Sequence, residues 1–166
     1  MKNILMVIAP EGYQDVEYGD PKQIFLDDGH KVTTASTEQT AYGKFGGVTK
    51  VDILLNDVKA EDYDAIVFVG GPGTPIYFSN TKALELARDF VAADKITSAI
   101  CAGPGILANA GILAGKTATS HPAVADIVKP RCGLYTGADT AQDGKIITAN
   151  GPAVAKNFAQ IIVKNL

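Results

Sequence analysis

Short apolar runs alternate along the chain with longer segments of helical character. Most of the runs are apolar on both faces, which is typical of parallel strands covered on both sides of a sheet. They are Asn3–Ala9, Lys31–Ser36, Ala65–Val69, Ile96–Ile100 and Lys145–Ala149, with a shorter run at Lys116–Thr119. Strands that alternate with helices in this way predict an α/β fold of three layers around a mostly parallel sheet. We find no linker or internal repeat, so we expect one domain over residues 1–166.

The helical segments between these strands begin and end at recognisable residues. Asn80 is a suitable N-cap for a helix over Thr81–Ala93, whose apolar positions fall on one stripe. The first helical segment ends near Asp28 and contains Gly19-Asp20-Pro21, which predicts a break or a restart with Asp20 as the cap. The glycine-rich segment Tyr42–Asp52 predicts a short hairpin or edge strands. Further helices are expected after Pro104, over Ala123–Val128, and from Pro152 to about Lys164.

One strand, Ile96–Ile100, stops abruptly at Cys101 and turns directly into a helix. Ala102 and Gly103 leave room for a tight reversal, and Pro104 suits the first helical position because its missing N–H needs no partner there. This arrangement is the cysteine version of a nucleophile elbow. The N–H groups after the cysteine and the helix N-terminus favour a thiolate, which attacks carbonyl carbons and is also the form that oxidises. A small core cysteine is the alternative interpretation.

Polar segments that leave the other strands are expected at the same edge as the cysteine, because open α/β sheets build their sites beyond the carboxyl ends of the strands. Glu17 follows the first strand, and Gly70 and Gly71 follow Ala65–Val69. His121 follows the short strand of the second half. Backbone N–H groups of the glycine loop would form an oxyanion hole together with the N–H that follows the cysteine.

Each of these residues also has a plain structural interpretation. The glycines serve equally well in a tight turn, and Glu17 serves equally well on a solvated helix face. The sharper interpretation places Glu17 under the thiol, protonated by burial and hydrogen-bonded to the sulfur. His121 precedes a proline and is either a loop residue or a base or proton shuttle that titrates near neutrality. Cys132 has no elbow around it and is interpreted as structural or incidental.

The composition limits the partners and cofactors. The chain has 15 Lys and Arg, 18 Asp and Glu, a net charge of −3 and no Trp, which gives no basis for binding nucleic acid or an anionic membrane. Two cysteines and two histidines without metal-ligand spacing predict neither a disulfide framework nor a metal site. We expect no cofactor and a small-molecule substrate. The N-terminal apolar run is too short for a signal peptide, so we expect a cytoplasmic protein.

Five motifs, taken in order, resemble the ThiJ/PfpI superfamily, which includes DJ-1. They are Asp15-Val16-Glu17, Val69-Gly70-Gly71, Ala99-Ile100-Cys101-Ala102-Gly103-Pro104, Ser120-His121-Pro122 and Asn150-Gly151-Pro152. Each motif alone is weak, but the ordered set is specific and spans essentially the whole chain. The resemblance implies a flavodoxin-like αβα sandwich of the class I glutamine amidotransferase type, usually a homodimer or an assembly of dimers.

The resemblance also implies roles for individual residues. Cys101 would be the nucleophile, Glu17 would hydrogen-bond to it, and His121 would be a third catalytic residue. The N–H groups of Gly71 and Ala102 would form the oxyanion hole. The substrate-pocket candidates are Gly70, Asn150, Gly151 and Pro152.

Two positions separate the branches of this superfamily. Ala102 stands where the PfpI-protease-like branch has a histidine, which argues against a peptidase. The Cys-Ala-Gly-Pro and His-Pro elements resemble the DJ-1 branch, although that branch commonly has an arginine where Asn150 stands. The DJ-1 branch is associated with glyoxalase III-like activity, protein deglycase activity and cysteine oxidation.

We therefore predict a cofactor-independent enzyme that acts on methylglyoxal or related reactive carbonyls through Cys101. Two alternatives use the same cysteine. The first is a redox-responsive stress protein in which Cys101 is oxidised to a sulfinate. The second is a hydrolase or hydratase that acts on another small substrate.

Overall fold

A seven-stranded sheet forms the middle layer of the computed structural model, which describes all 166 residues. The strands of the chain are β1 (Asn3–Val7), β2 (Glu11–Tyr13), β3 (Lys31–Ser36), β4 (Thr40–Gly43), β5 (Val48–Lys50), β6 (Ile53–Leu54), β7 (Ala65–Phe68), β8 (Ile96–Ile100), β9 (Thr117–Ala118), β10 (Leu134–Tyr135), β11 (Thr140–Asp143) and β12 (Ile146–Ala149). The helices are α1 (Asp15–Asp27), α2 (Thr81–Ala92), α3 (Pro104–Asn109), α4 (Ala125–Val128) and α5 (Ala155–Asn165). None of these helices combines the length and the apolar composition that a membrane span requires.

The order of strands in the main sheet defines where a site is expected. The order is β11-β12-β8-β7-β1-β3-β6, and all neighbours are parallel except β11 and β12. From β1 the chain moves outward through β3 and β6, and it then returns to β7 on the other side of β1. The carboxyl ends of β1 and β7 therefore flank the switch point at which sheets of this kind bind ligands.

Helices cover both faces of the sheet and enclose two apolar cores. Phe25 of α1 and Phe158 of α5 are completely buried against one face. Phe90 of α2 and Ile106 of α3 are completely buried against the other face. This arrangement confirms the predicted three-layer α/β fold with a mostly parallel sheet.

The predicted break in the first helical segment is wrong. Helix α1 runs without interruption from Asp15 to Asp27 with Pro21 inside it, and Asp20 is not a cap. Proline removes one backbone hydrogen bond at this position. Tyr18, Pro21 and Phe25 are buried on one face of the helix, and this burial outweighs the lost bond.

Two small sheets lie outside the main one. The segment predicted as a hairpin forms the antiparallel strands β4 and β5, and β2, expected as a loop, adds to β4 in parallel. The short strand expected at Lys116–Thr119 exists as β9, but it pairs with β10 instead of joining the main sheet. The segment after β9 therefore reaches the site as a loop and not as an extension of the central sheet.

Candidate active site

Cys101 lies in the sharp turn that joins β8 to α3. Its φ is +63°, and Asp94 is the only other non-glycine residue with a positive φ. Such a backbone costs about 1–3 kcal/mol and persists where surrounding contacts impose it. Here the Cys101 N–H donates to the carbonyl of Ala149 at 2.9 Å, and the Cys101 carbonyl accepts from the N–H of His121 at 2.8 Å. The elbow predicted from the sequence is therefore present, and its backbone is tied to two neighbouring segments.

Two glycines allow this turn to fit against the sheet. A β carbon at Gly103 would lie 2.5 Å from the carbonyl oxygen of Phe68. A β carbon at Gly70 would lie 2.6 Å from both the Cys101 β carbon and Glu17 Oε2. No side chain fits at either position without displacing the backbone or the site, so Gly70 brings the carboxyl and the cysteine into close packing.

Glu17 lies on the first turn of α1, directly after a cap formed by Gln14. The side-chain oxygen of Gln14 accepts hydrogen bonds from the N–H groups of Val16 and Glu17 at 2.7 and 3.0 Å. The Glu17 side chain is 0% exposed, and neither of its carboxyl oxygens makes a hydrogen bond of standard geometry. The helix start thus places a carboxyl group in the interior beside the cysteine.

Burial raises the pKa of Glu17 from 4.5 to about 7. The Cys101 thiol and the N–H of Gly70 favour the ionised carboxylate, but they offset the loss of hydration only in part. Protonated and ionised forms of Glu17 are therefore both populated near neutral pH.

The Cys101 thiol has its pKa raised to about 12. Burial is the largest cause, followed by the negative charge of the neighbouring Glu17 carboxylate. The backbone N–H groups of Ala102 and Gly71 act in the opposite direction, as expected for an oxyanion hole. The sequence-based expectation of a resting thiolate is therefore wrong. Near neutral pH the buried pair holds at most one negative charge, and Glu17 is the neighbouring group that can accept the thiol proton.

His121 adjoins the cysteine through its backbone and has a fixed ring orientation. Its Nδ1 accepts a hydrogen bond from the N–H of Ala123 at 3.0 Å, which caps the short turn Pro122–Val124. The neutral ring then carries its proton on Nε2, the tautomer assigned from this bond. In that state the ring presents a hydrogen-bond donor and has no free lone pair. The neutral ring thus offers a donor at Nε2. The role of His121 as a base or proton shuttle stays a prediction.

An open cleft of about 470 Å³ brings most of the predicted site residues together. This volume is within the usual range for small-molecule sites. The predicted residues in its lining are Cys101, Glu17, His121, Gly71, Ala102 and Pro152. Gly70 is packed directly behind the cysteine and the carboxyl.

Two of the predicted pocket residues lie outside this cleft. Asn150 and Gly151 are absent from its lining. The N–H of Asn150 donates to the carbonyl of Asp139 at 2.9 Å, and its side-chain amide lies 3.4 Å from the Asp139 carboxylate. The end of β12 is thus tied to the start of β11, so of this motif only Pro152 reaches the cleft.

Sequence reasoning missed the tip of the β4–β5 hairpin. Lys44 and Phe45 lie at this tip and line the cleft. The carboxylate of Asp15 fastens the tip by accepting the N–H groups of Phe45 and Gly47, both at 2.8 Å. A β carbon at Gly47 would lie 2.5 Å from Asp15 Oδ1, so the hairpin closes over this carboxylate only with glycine there. The glycines around Lys44 were the available signal, but they do not specify what the tip covers.

The structure contains no group of three or more His, Cys, Asp or Glu side chains that could hold a metal ion. Cys132, interpreted as structural or incidental, is half-buried away from the cleft, with its sulfur 3.7 Å from the carbonyl of Lys129. The chemistry available in the cleft is that of a thiol, a carboxyl group, an imidazole, the Lys44 ammonium group and two backbone N–H groups.

Comparison with known proteins places this chain in a family. A model of the DJ-1/PfpI family matches residues 2–165. The chain belongs to this family. It is 34% identical to the deglycase PH1704 of Pyrococcus horikoshii, over 98% of this chain and 98% of that protein. It is 31% identical to the glutathione-independent glyoxalase DJR-1.2 of Caenorhabditis elegans, over 99% of this chain and 89% of that protein.

A solved structure extends this likeness to the fold. The ThiJ/PfpI domain protein from Brachyspira murdochii superimposes with a TM-score of 0.95 at 37% identity. The likeness covers 98% of this chain and 95% of that one. The resemblance inferred from the five motifs is confirmed by these findings.

Proposed function

We propose that this protein is a cofactor-independent enzyme of the glyoxalase III or deglycase type, which converts methylglyoxal or related reactive carbonyls through Cys101. The observation that carries the proposal is the pairing of the Cys101 thiol with a buried carboxyl group whose pKa is about 7, inside an open cleft. Relatives that carry the names deglycase and glyoxalase support the reaction class.

The first step is addition of the thiol to the aldehyde carbon of methylglyoxal. The Glu17 carboxylate accepts the thiol proton as the carbon–sulfur bond forms, so no free thiolate has to form against the raised pKa of the thiol. The N–H groups of Gly71 and Ala102 stabilise the oxygen that gains negative charge. Glu17 then returns the proton to that oxygen, and a hemithioacetal results.

The second step moves hydrogen between the two carbonyl carbons. Glu17 removes the proton of the former aldehyde carbon and delivers it to the neighbouring ketone carbon through an enediol, which yields a lactoyl thioester. His121 donates its Nε2 proton to the ketone oxygen, in keeping with its tautomer, and takes up the hydroxyl proton of the former aldehyde carbon as the thioester carbonyl forms. Water then cleaves the thioester and releases lactate. One carbon is oxidised, its neighbour is reduced and one water is consumed, so the reaction needs no external redox partner.

A redox-responsive role of Cys101 is the second candidate. Its support is the position of the thiol in an open cleft beside a carboxyl group that would hydrogen-bond to an oxidised sulfur. The raised pKa of the thiol opposes it, because peroxide oxidises the thiolate. A stable gain of two oxygens on Cys101 at mild peroxide, absent in Cys101→Ser, would support this candidate. Random oxidation over several residues would count against it.

The experiment that tests the proposed function uses purified protein that has been treated with a chelator and assayed without glutathione. The expected result is consumption of methylglyoxal with formation of an equal amount of lactate, followed by NMR. Activity that appears only after addition of a metal ion or glutathione, or no lactate at all, contradicts the proposal.

A further inference from the structure

Lys44 is the one residue in the lining of the catalytic cleft that carries a permanent positive charge. Its side chain is exposed, and none of the four ion pairs in the chain involves it. The cleft therefore contains an ammonium group whose charge no carboxylate of the protein balances.

The backbone of Lys44 is held in place, although its side chain faces solvent. Its N–H donates to the carbonyl of Tyr13 at 2.8 Å, and the Asp15 carboxylate holds the following turn. The ammonium nitrogen lies 5.1 Å from the centre of the Phe45 ring, which also lines the cleft. A hairpin fastened by three hydrogen bonds thus presents a cation and an aromatic ring to the space above Cys101.

The size of the cleft indicates a substrate longer than methylglyoxal, because that molecule occupies only a small part of 470 Å³. The charge of the cleft indicates the sign of the substrate's charge. The unpaired ammonium group of Lys44 attracts an anion, and this attraction offsets the repulsion of the same anion by the ionised fraction of Glu17.

We propose that Lys44 binds the distal anionic group of a 2-oxoaldehyde, so that the preferred substrates of this cleft are short carboxylated dicarbonyls such as 4,5-dioxopentanoate. The inference rests on the proposed function and names its substrate class. The aldehyde carbon of 4,5-dioxopentanoate becomes a carboxylate, the ketone carbon becomes an alcohol, and one water is consumed. The product is 2-hydroxyglutarate, and no outside oxidant or reductant takes part.

The experiment compares kcat/KM for 4,5-dioxopentanoate with kcat/KM for its methyl ester, which has the same dicarbonyl but no charge. In wild type we expect kcat/KM to be about fivefold higher for 4,5-dioxopentanoate than for its methyl ester, which is the range of a partly exposed ion pair. This preference should fall as salt is added. Lys44→Gln is expected to abolish the preference, and Lys44→Arg is expected to retain it. Lys50→Gln, which removes the same charge from the same hairpin outside the cleft, is the matched control and should retain it.

A binding measurement separates failure of this inference from failure of the proposed reaction. Levulinate has the same carboxylate arm and ketone but no aldehyde, so it cannot turn over. It is expected to slow alkylation of Cys101 by iodoacetamide in wild type, whereas its methyl ester is not, and Lys44→Gln is expected to lose this protection. Turnover of all substrates with equal carboxylate and ester rates overturns the role of Lys44 and leaves the reaction standing. Absence of turnover overturns the reaction, and the protection by levulinate then decides the role of Lys44 by itself.

Discussion

The buried carboxyl group of Glu17 makes the stability of the protein depend on pH, and the substitution Glu17→Gln isolates that dependence. The folded-state pKa of about 7 is higher than the ordinary value of 4.5, so the folded state binds this proton more tightly than the unfolded chain does. The proton on Glu17 therefore stabilises the folded state fully below pH 4.5, and this stabilisation is lost as the pH rises to 7. The difference between the two pKa values corresponds to about 3 kcal/mol, which is the cost of a buried negative charge above pH 7.

Glutamine has nearly the same shape as glutamate and stays neutral at every pH. We expect the free energy of unfolding of Glu17→Gln, relative to wild type, to increase by most of these 3 kcal/mol between pH 5 and pH 8. Urea unfolding followed by circular dichroism at several pH values measures it. Titrating groups that are not coupled to Glu17 are common to both proteins and cancel in the difference. Cys101, whose pKa is raised by the charge of Glu17, is the exception.

The matched control is Glu85→Gln, which removes a negative charge from an exposed position on α2. Its stability difference from wild type is expected to stay nearly constant over the same pH range. The free energy of unfolding of Glu17→Gln could instead show the same pH dependence as that of wild type. In that case Glu17 is not buried as a charged group, and the proton transfer assigned to it loses its basis.

Three further predictions follow from the same geometry. The kcat/KM for methylglyoxal should rise with pH and level off above an apparent pKa near 7, because ionised Glu17 accepts the thiol proton. A kcat/KM that stays constant between pH 6 and 8 would contradict this. Gly70→Ala places a methyl group 2.6 Å from the Cys101 β carbon, so we expect a loss of about 1–3 kcal/mol in urea unfolding and a sharp fall in kcat. Gly19→Ala, with no atom within 4 Å of the added carbon, is the control and should lower neither the stability nor kcat. Asp15→Ala removes the acceptor of two hairpin N–H groups, so it should lower the stability by about 1 kcal/mol. It should also weaken the preference for carboxylated substrates. An unchanged preference would show that this carboxylate does not position the hairpin tip.

The parts of the site that follow local rules were predictable from the sequence. Ile96–Ile100 is a buried strand, and Pro104 directly after the small residues Ala102 and Gly103 suits the first position of a helix, so the elbow at Cys101 follows from neighbouring residues. The edge at which Glu17 meets Cys101 follows from the alternation of strands and helices, because parallel strands direct their carboxyl ends to the same side.

The parts that depend on distant contacts were not predictable. The Asp15 carboxylate fastens the hairpin through residues about thirty positions away, and nothing near Lys44 indicates that its hairpin covers the cysteine. The continuity of α1 through Pro21 depends on the burial of one helix face in the fold. The protonation state of the thiol was also not predictable from the sequence. The elbow favours a thiolate, but burial beside Glu17 raises the pKa of Cys101 further than the two N–H groups lower it.

The central claim is that Cys101 and not another group of the protein attacks the carbonyl carbon. The most direct test is the rate of lactate formation from methylglyoxal by wild type, Cys101→Ala and Cys132→Ala in one buffer. Cys132 lies outside the cleft, so Cys132→Ala controls for loss of a thiol that also adds to aldehydes. We predict full activity in wild type and in Cys132→Ala, and no lactate above the protein-free rate in Cys101→Ala. Lactate formation at the wild-type rate by Cys101→Ala would contradict the account.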